Sequence, residues 1–441
     1  MAAAGAAAAA VAAVLTGIPA TAATVTQVSC STPALVSAVS GAASGATLSL
    51  AKRCTYVLTA ALPTVAQDLT IDGNGATLHR STATGTAAFT ILTITAGTVT
   101  LNQLSFTNGN GAITVDNLAQ LIVTGGTFSG NTAANGAAIN NTAATVVQVN
   151  GASFIDNTAT EDGGAMYVFT ALGDQITDCR FLGNTAADSG GAYWEFSNGT
   201  TISGSTFGAN KAATGGALYL DDQFSQITKT VVYANAATGS GGGIFDSPGG
   251  TPVPISGSML LGNHAGGAGG GIDEESYGEP EPMTNTTVAD NSATDGGGIN
   301  DGAGVYINYT GDTISGNSAT RDGGGINAGG SVLFSGIIFF HSRTDGSIDS
   351  SKGSESGSPP LVSFANSTIS GNHAGARGGG VYNQESLGAS STRITGNQAV
   401  GGGGGIYDNG TEATMALTDS TPADNEPDNC EPLGSITGCT G

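Results

Sequence analysis

The chain has 441 residues, of which 72 are glycine; only 10% of its residues are charged and 6% are aromatic. Its formal net charge is -23, with 11 Lys and Arg residues against 34 Asp and Glu residues. So few basic residues exclude nucleic acids and anionic lipid surfaces as partners, because both are bound through basic patches. An apolar fraction of 39%, with apolar residues at recurring positions, predicts an ordered chain rather than a disordered one.

Residues 1–23 read MAAAGAAAAAVAAVLTGIPATAA and are predicted to be a secretory signal peptide. An apolar run is followed by Pro19 and by the small residues Ala20, Thr21 and Ala22, although no Lys or Arg precedes the run. An uncleaved membrane anchor fits poorly, because alanine is weakly apolar and the run is short for a membrane span. We therefore expect an exported protein with no membrane span in the mature chain.

The segment 24–47 is predicted to cap the N-terminal end of the folded domain. A short helix is expected to begin at Ser31 or Thr32, with Pro33 at its first position, where a missing N–H is tolerated. This helix would turn an apolar face toward the rest of the domain, made of Leu35, Val36, Val39 and Ala42.

Five cysteines agree with export to an oxidising compartment. Cys30 and Cys54 bracket the first folded segment, and Cys430 and Cys439 bracket the tail. Each pair has a separation suited to closing a local loop, so two disulfides are predicted. Cys179 is left over, two residues before a phenylalanine; the period of a strand turns both the same way and predicts a buried free thiol.

A repeat of about 26 residues occupies 48–420, and the segment 421–441 is expected to form a disulfide-closed cap after it. The fixed member of the repeat is an asparagine. It recurs at steps of 25 to 28 residues, except for one step of 55 that we interpret as two repeats; the residues are Asn131, Asn157, Asn184, Asn210, Asn235, Asn263, Asn291, Asn317, Asn372 and Asn397. One apolar residue stands three positions before each asparagine, and a second closes each glycine run.

Self-similarity at a fixed period indicates a repeat architecture. Helical repeats are excluded, because nearly every unit contains Gly-Gly and because short segments alternate apolar and polar residues, as strands do. If each unit makes one coil, its strands stack about 4.8 Å apart, and parallel connections favour the right hand. The sequence therefore predicts an all-β, right-handed parallel β-helix of roughly fourteen coils. The asparagines are expected at turns in the left-handed conformation, with their amides stacked.

The repeated Phe-x-x-Asn followed by Gly-Gly-Ala/Gly-apolar resembles the repeats of polymorphic outer-membrane proteins. The start, from Cys30 through Leu35 into DLTIDGNGATL, resembles secreted bacterial right-handed β-helix repeat proteins. This resemblance covers nearly everything after residue 23 and implies a secreted or cell-surface protein, often adhesin-like. The chain departs from outer-membrane members in lacking a C-terminal series of alternating strands. We expect a monomer, free or noncovalently attached to a surface.

The first candidate site follows the apolar residue that closes each glycine run. If that residue points inward, the next points outward. This predicts a surface aromatic column of Tyr167, Trp194, Tyr219 and Phe245, with Tyr382 and Tyr407 later, and beside it an acidic column of Glu195, Asp246, Glu274, Asp301 and Asp408. Aromatic faces next to carboxylates suit a polysaccharide or cell-surface glycan, so Tyr167, Trp194, Glu195, Tyr219, Phe245 and Asp246 are glycan-binding candidates. Alternatively, the stacked aromatics only stabilise neighbouring strands.

A second candidate region surrounds the 55-residue step, where one coil carries FFHSRTDGSIDSSKGSESGSPP. Pectate lyases use the same helix with calcium-binding carboxylates and a basic residue that removes a proton next to a uronate. A polysaccharide lyase or hydrolase is therefore the alternative to binding without catalysis, with Arg321, Asp322, Arg343, Lys352 and Arg377 as candidate residues. Polar insertions in solenoids are mostly solvated loops, so we favour binding without catalysis.

Asp295 and Asp322 occupy equivalent positions on adjacent coils, about 5 Å apart, and are weak candidates for calcium ligands. The alternative is two solvated turn residues, because no repeated Gly-Gly-x-Gly-x-Asp ladder runs through the chain. No other metal or cofactor is expected.

Overall fold

The computed structural model describes residues 25–142, 145–169, 173–196, 199–221, 224–247, 253–275, 281–302, 307–328, 362–384, 387–409, 415–433 and 436–439. Across them, short parallel strands stack into four sheets along one solenoid. The predicted parallel β-helix is confirmed, with about 13 turns. The predicted signal peptide lies outside the described residues. Within the described parts of the chain, no helix is both long and apolar enough to cross a bilayer.

The four sheets are numbered in the order in which each coil visits them. Sheet 1 contains Val25–Val28, Ala46–Leu50, Leu69–Asp72, Thr98–Asn102, Gln120–Thr124, Val147–Asn150, Gln175–Thr177, Thr201–Ser203, Gln226–Thr228, Ile255–Ser256, Glu281–Thr284, Ile307–Thr310, Val362–Ala365, Leu387–Ser390 and Met415–Thr418. Sheet 2 contains Thr55–Leu58, Thr77–Arg80, Ser105–Thr107, Thr127–Ser129, Ser153–Ile155, Arg180–Leu182, Thr206–Gly208, Val231–Tyr233, Met259–Leu261, Thr287–Ala289, Thr313–Ser315, Thr368–Ser370 and Arg393–Thr395. Sheet 3 contains Thr132–Ala133, Thr158–Ala159, Thr185–Ala186, Lys211–Ala212, Ala236–Ala237, His264–Ala265, Ser292–Ala293, Ser318–Ala319, His373–Ala374 and Gln398–Ala399. Sheet 4 contains Leu92–Ile94, Ile113–Val115, Ile139–Asn141, Met166–Phe169, Tyr193–Phe196, Leu218–Leu220, Ile244–Asp246, Ile272–Glu274, Ile299–Asp301, Ile326–Ala328, Val381–Asn383, Ile406–Asp408 and Cys430–Glu431.

The 55-residue step is one coil with a long insertion, and its interpretation as two repeats is wrong. Ile326 pairs directly with Val381, so the strands on either side of the step are neighbours in sheet 4. The Asn317 amide likewise donates to the side chain of Asn372 at 3.0 Å. The strands thus skip the insertion, and the solenoid has one coil fewer than the sequence predicts.

The recurring asparagines form a buried hydrogen-bonded column, which we call the asparagine ladder; it runs from Asn131 to Asn425. Each amide nitrogen donates to the amide oxygen one coil further on, as from Asn184 to Asn210 at 3.0 Å. The predicted amide stacking is confirmed, but the predicted left-handed backbone is not at the asparagine. It belongs to the preceding residue, for example Gly183 (φ 67°) or Ala209 (φ 53°). These turns leave the asparagine side chain free to point into the interior.

A second polar column lies at the turn from sheet 1 to sheet 2 and is named the hydroxyl ladder. Its members are Cys179, Ser205, Thr230, Ser258, Thr286, Asp312, Ser367, Thr392 and Ser420. Each side chain accepts a hydrogen bond from the backbone N–H one coil earlier, as Ser205 does from Cys179 at 3.0 Å. The hydroxyls also donate to a carbonyl two residues back, as from Ser205 to Ser203 at 3.0 Å. Two of the turns in each coil are therefore held by side chains rather than by water.

Apolar columns fill the space between the ladders. The rings of five phenylalanines stack in the interior with centroids 4.5 to 5.1 Å apart; they are Phe106, Phe128, Phe154, Phe181 and Phe207. The residues that close the glycine runs face them from sheet 4, all fully buried, including Met166, Tyr193, Leu218 and Ile244. Each coil therefore buries its apolar residues only against the coils above and below it.

Both predicted disulfides are present, between Cys30 and Cys54 and between Cys430 and Cys439. The predicted helix spans Thr32–Ser40, with Ser31 as its N-cap. Its residues Leu35 and Val39 are buried against the first coil, whereas Val36 and Ala42 are only partly buried. The structure thus places a covered coil at the N-terminal end, where an open sheet edge would otherwise expose backbone groups.

Cys179 is a buried free thiol, as predicted. Its Sγ donates to the carbonyl oxygen of Thr177 at 3.2 Å. Burial raises the pKa of this thiol to about 11. The thiol is therefore protonated and enclosed, unlike a reactive cysteine.

Candidate functional site

The outer face of sheet 4 carries four aromatic rings in successive coils, here called the aromatic ladder: Tyr167, Trp194, Tyr219 and Phe245. Their backbones are in direct parallel register. The ring centroids are 4.3, 6.0 and 5.3 Å apart, and the planes deviate from parallel by 4° to 19°. All four side chains are half-buried. They form a single strip of stacked rings that follows the axis of the solenoid.

The glycine run before each strand of the aromatic ladder makes a turn that lies close to the ladder residue. Gly190 has φ of 64°, and a Cβ there would lie 2.4 Å from the carbonyl oxygen of Tyr193 and 2.9 Å from the Cβ of Trp194. At Gly191 a Cβ would lie 2.1 Å from the carbonyl oxygen of Gly216 in the next coil. Only glycine fits where the turn approaches both the ladder and the neighbouring coil.

A second aromatic column, which sequence reasoning missed, stands beside the ladder. Phe169 and Phe196 are 46% and 48% exposed, and their rings stack with centroids 5.1 Å apart. They lie two residues after Tyr167 and Trp194, so the same two-residue period that predicts the ladder could have found them. These rings widen the aromatic surface at its first two coils.

Carboxylates flank the aromatic ladder on its glycine-run side. Glu161 and Asp188 are exposed at successive coils, and Asp162 is half-buried next to them. The Oδ1 of Asp162 accepts a hydrogen bond from the N–H of Ser189 at 3.0 Å. Burial raises the pKa of Asp162, and the negative charges of Asp188 and Glu161 raise it further. The three acids therefore repel one another at the edge of the rings.

Another carboxylate, Asp221, lies on the opposite side of the ladder. Its N–H donates to the carbonyl oxygen of Glu195 at 3.2 Å, so Asp221 lies one coil after Phe196, in line with the second aromatic column. Burial raises the pKa of Tyr219, and the charges of Asp221 and Asp162 raise it further. The ladder thus runs between acids on both of its long sides.

The predicted outward acidic column is wrong, because the strands turn these carboxylates into the interior. Glu195 and Asp246 are fully buried. Glu195 accepts hydrogen bonds from the hydroxyls of Tyr193 at 2.8 Å and Ser225 at 2.7 Å, and Asp246 accepts one from the N–H of Val253 at 3.1 Å. Both lie two residues after an inward apolar residue, so the strand period returns them inward. They are not part of the exposed surface. The other members of that column are also buried: Glu274, Asp301 and Asp408.

Beyond Phe245 the same outward column continues with polar side chains. Asn300 donates to Asp273 at 2.7 Å, and Asn327 donates to Asn300 at 2.6 Å. Tyr382 and Tyr407 follow, with ring centroids 5.7 Å apart. The prediction that Tyr382 lies at the surface is wrong, because it is 3% exposed. The column therefore has an aromatic part at each end and an amide part between them.

Two of the three candidate arginines are held in ion pairs with the two candidate calcium ligands. Arg321 makes a two-pronged ion pair with Asp295. Arg377 makes another with Asp322, at 3.1 and 3.2 Å. Each aspartate therefore binds a guanidinium where the sequence suggests a cation site. Within the described ranges, no three His, Cys, Asp or Glu side chains are placed to hold a metal ion.

These ion pairs are a poor basis for proton abstraction. Partial burial lowers the pKa of Arg377, but the hydrogen bond to Asp322, the interactions with Tyr382 and Tyr407 and the charge of Asp322 together raise it above the ordinary value. A guanidinium that stays protonated cannot accept a proton from a substrate. Arg377 is thus held by Asp322 rather than free to take up a proton. Arg343 and Lys352 lie outside the described residues.

No family model matches the chain, and no curated protein matches it. Similar solved structures include tailspike protein 3 of bacteriophage CBA120, which is 11% identical with a TM-score of 0.40; the match covers 91% of this chain and 59% of that one. A tailspike protein mutant of E. coli bacteriophage HK620 is 12% identical with a TM-score of 0.35, covering 87% and 73%. The A-module of the Azotobacter vinelandii mannuronan C-5 epimerase AlgE6 is 9% identical with a TM-score of 0.29, covering 93% and 94%. The chain spans 59% of the length of the first of these structures.

Proposed function

We propose that this chain is an exported, monomeric β-helix protein that binds a polysaccharide along the outer face of sheet 4 and does not cleave it. Its role would be adhesin-like, at or near a cell surface. The observation that carries this proposal is the aromatic ladder, with four half-exposed rings in register. The two disulfides agree with an oxidising, extracellular environment.

The shape of the ladder suits an extended polymer. Rings recur once per coil, at about the 4.8 Å spacing of stacked strands, and stack face to face, so their edges form one continuous apolar row along the solenoid. The apolar faces of sugar rings can lie on such a strip, while the flanking carboxylates accept hydrogen bonds from hydroxyl groups. An extended chain of sugars would contact several rings at once.

The ion pairs of Arg321 and Arg377 favour binding without catalysis. A lyase needs a base that can lose its proton near the reacting carbon. The described arginines of the alternative site are committed to Asp295 and Asp322 instead. The ladder lies several coils away from them and offers apolar surface rather than a proton acceptor.

The ladder contains the sole tryptophan of the chain, so its fluorescence reports directly on ligand binding at this surface. A half-exposed ring can bury about 60 Å² more, which corresponds to ~1.5 kcal/mol or roughly tenfold in Kd. We expect Tyr167→Ala, Tyr219→Ala and their combination to weaken binding progressively in Trp194 fluorescence titrations against a panel of oligosaccharides.

The matched control is Leu118→Ala combined with Val400→Ala, which removes exposed apolar side chains elsewhere; these are 73% and 74% exposed. This control should bind as the parent chain does. Unchanged binding in the folded Tyr167/Tyr219 double variant would refute the proposed surface. New reducing ends or unsaturated products after incubation would refute the absence of catalysis.

A further inference from the structure

At one end of the outward column of sheet 4, a positively charged side chain lies against two aromatic rings. At the C-terminal end, the guanidinium of Arg377 lies over two rings of the column, 4.9 Å from the centroid of Tyr382 and 5.1 Å from that of Tyr407. Asp322 holds the same guanidinium from the other side, at 3.1 Å. A cation between a carboxylate and aromatic faces is therefore an arrangement that this fold accommodates.

At the N-terminal end, the position that corresponds to Arg377 holds a carboxylate instead of a cation. Asp162 stands five residues before Tyr167, as Arg377 stands five residues before Tyr382. Of the 11 basic residues in the chain, only three fall within residues 135–250, namely Arg180, Lys211 and Lys229, and none is on sheet 4. Among the described residues, the ion pairs within 4.0 Å are those of Arg321 and Arg377.

We propose that the polymer bound by the aromatic ladder is a cationic, amine-bearing polysaccharide, such as an amino-sugar polymer without its acetyl groups. This inference rests on the proposed function and specifies its ligand. Protonated amines would lie between the rings and the carboxylates of Glu161, Asp162, Asp188 and Asp221. A uronate polymer would instead face like charges on both sides of the ladder.

The mutual repulsion of the flanking acids supports this assignment. The pKa of Asp162 is raised by burial and then by the charges of Asp188 and Glu161. A bound cation lowers the cost of keeping these carboxylates ionised together. The whole chain, at a net charge of -23, adds long-range attraction for a cationic polymer.

The test compares four oligomers of equal length by Trp194 fluorescence near pH 6, where simple amines are protonated: glucosamine, N-acetylglucosamine, galacturonate and lysine oligomers. We expect the glucosamine oligomer to bind at least about tenfold more tightly than the N-acetylated one at low salt. This preference should shrink as salt is added, because exposed charges are screened. Galacturonate should bind most weakly.

Asp162→Asn combined with Asp188→Asn should bring the glucosamine affinity down to that of the N-acetylated oligomer and leave the latter unchanged. The charge-matched control is Asp419→Asn with Asp424→Asn, two exposed acids near the C-terminal end. An N-acetylated oligomer that binds as tightly as glucosamine would overturn the inference while the proposed function stands. A lysine oligomer that binds as tightly as glucosamine would also overturn it, because charge alone would then explain binding. Failure of every sugar to bind would refute the proposed function itself.

Discussion

The hydroxyl ladder contains one member that does not suit its position. Asp312 occupies a place that serine or threonine fills in most other coils, and it is 1% exposed. Its Oδ1 accepts a hydrogen bond from the N–H of Thr286 at 2.7 Å, but its Oδ2 has no hydrogen-bond partner. Burial raises the pKa of Asp312 to about 7, although backbone hydrogen bonds from Thr286 and Thr310 oppose this. The ionised carboxylate is therefore unfavourable in the folded chain.

The direction of the pH effect follows from the raised pKa. Between the unfolded value of 3.8 and the folded value of about 7, the folded chain holds a proton that the unfolded chain has lost. The free energy of unfolding therefore falls as the pH rises through this window and stays low above it. Asp273 and Glu275, whose pKa values burial raises to about 6 and about 7, contribute in the same direction.

We expect Asp312→Ser to stabilise the chain at about pH 8, where the replaced carboxylate is ionised. A buried polar atom without a partner costs about 1–3 kcal/mol, and a serine hydroxyl can accept from Thr286 as Ser258 accepts from Thr230 at 3.1 Å. At about pH 5 the aspartate is protonated, so the same substitution should change stability little.

Urea unfolding followed by circular dichroism at both pH values measures this difference. Midpoints are compared rather than extrapolated free energies, because repeat arrays can unfold in several steps. Asp419→Asn, which removes an exposed carboxylate near the C-terminal end, should leave the pH dependence unchanged. An equal shift of the midpoint between the two pH values in Asp312→Ser and in the parent chain would refute this account of Asp312.

Two further substitutions test the polar ladders. Asn210→Ala removes the acceptor of two bonds from Asn184, at 2.9 and 3.0 Å, and the donor to Asn235 at 2.9 Å. We expect the free energy of unfolding in urea to fall by about 3–5 kcal/mol. The control Asn327→Ala, at a half-buried outer position, should lower it much less. Equal losses would contradict the ladder as a source of stability. Cys179→Ser should change the free energy of unfolding by no more than about 1 kcal/mol, because a hydroxyl continues the hydroxyl ladder. In the parent chain, the Cys179 thiol should not react with a thiol reagent until the chain unfolds. Rapid labelling of the folded chain would contradict its burial.

The fold was predictable because each coil repeats the same physical requirements. The interior accepts an apolar side chain or a fully bonded amide, so the apolar columns continue along the solenoid and the asparagines recur in each described coil from Asn131 to Asn425. The hydroxyl ladder is not predictable from a residue pattern, because serine, threonine, aspartate and cysteine share its role and no single residue type marks it. What its members share is the ability of the side chain to accept a hydrogen bond at the same turn, not a residue type.

The predictions for the 55-residue step and for the acidic column are wrong for the same reason. Each leaves out the residues to which these positions pair or hydrogen-bond. A step of 55 residues is close to two periods, and only the pairing of Ile326 with Val381 shows that one coil carries an insertion. The sequence predicts Glu195 and Asp246 on the outer face beside the aromatic column, although the strand period points them inward. Their buried hydrogen bonds to Tyr193, Ser225 and Val253 explain why the interior tolerates them.

The outward column of sheet 4 distinguishes what the fold requires from what it only permits. In coils after Phe245, the equivalent position holds Asp273, Asn300 and Asn327, and the strands pair there in the same register. The inward neighbours, by contrast, remain apolar in the same coils, at Ile272, Ile299 and Ile326. Strands therefore pair on this face without aromatic residues, where Asp273 and Asn300 are buried, at 1% and 5% exposed, whereas the four rings are half-exposed. Four aromatic rings in succession, flanked by acids and half-exposed, are an addition to the scaffold, and this is why ligand binding explains them better than strand pairing alone.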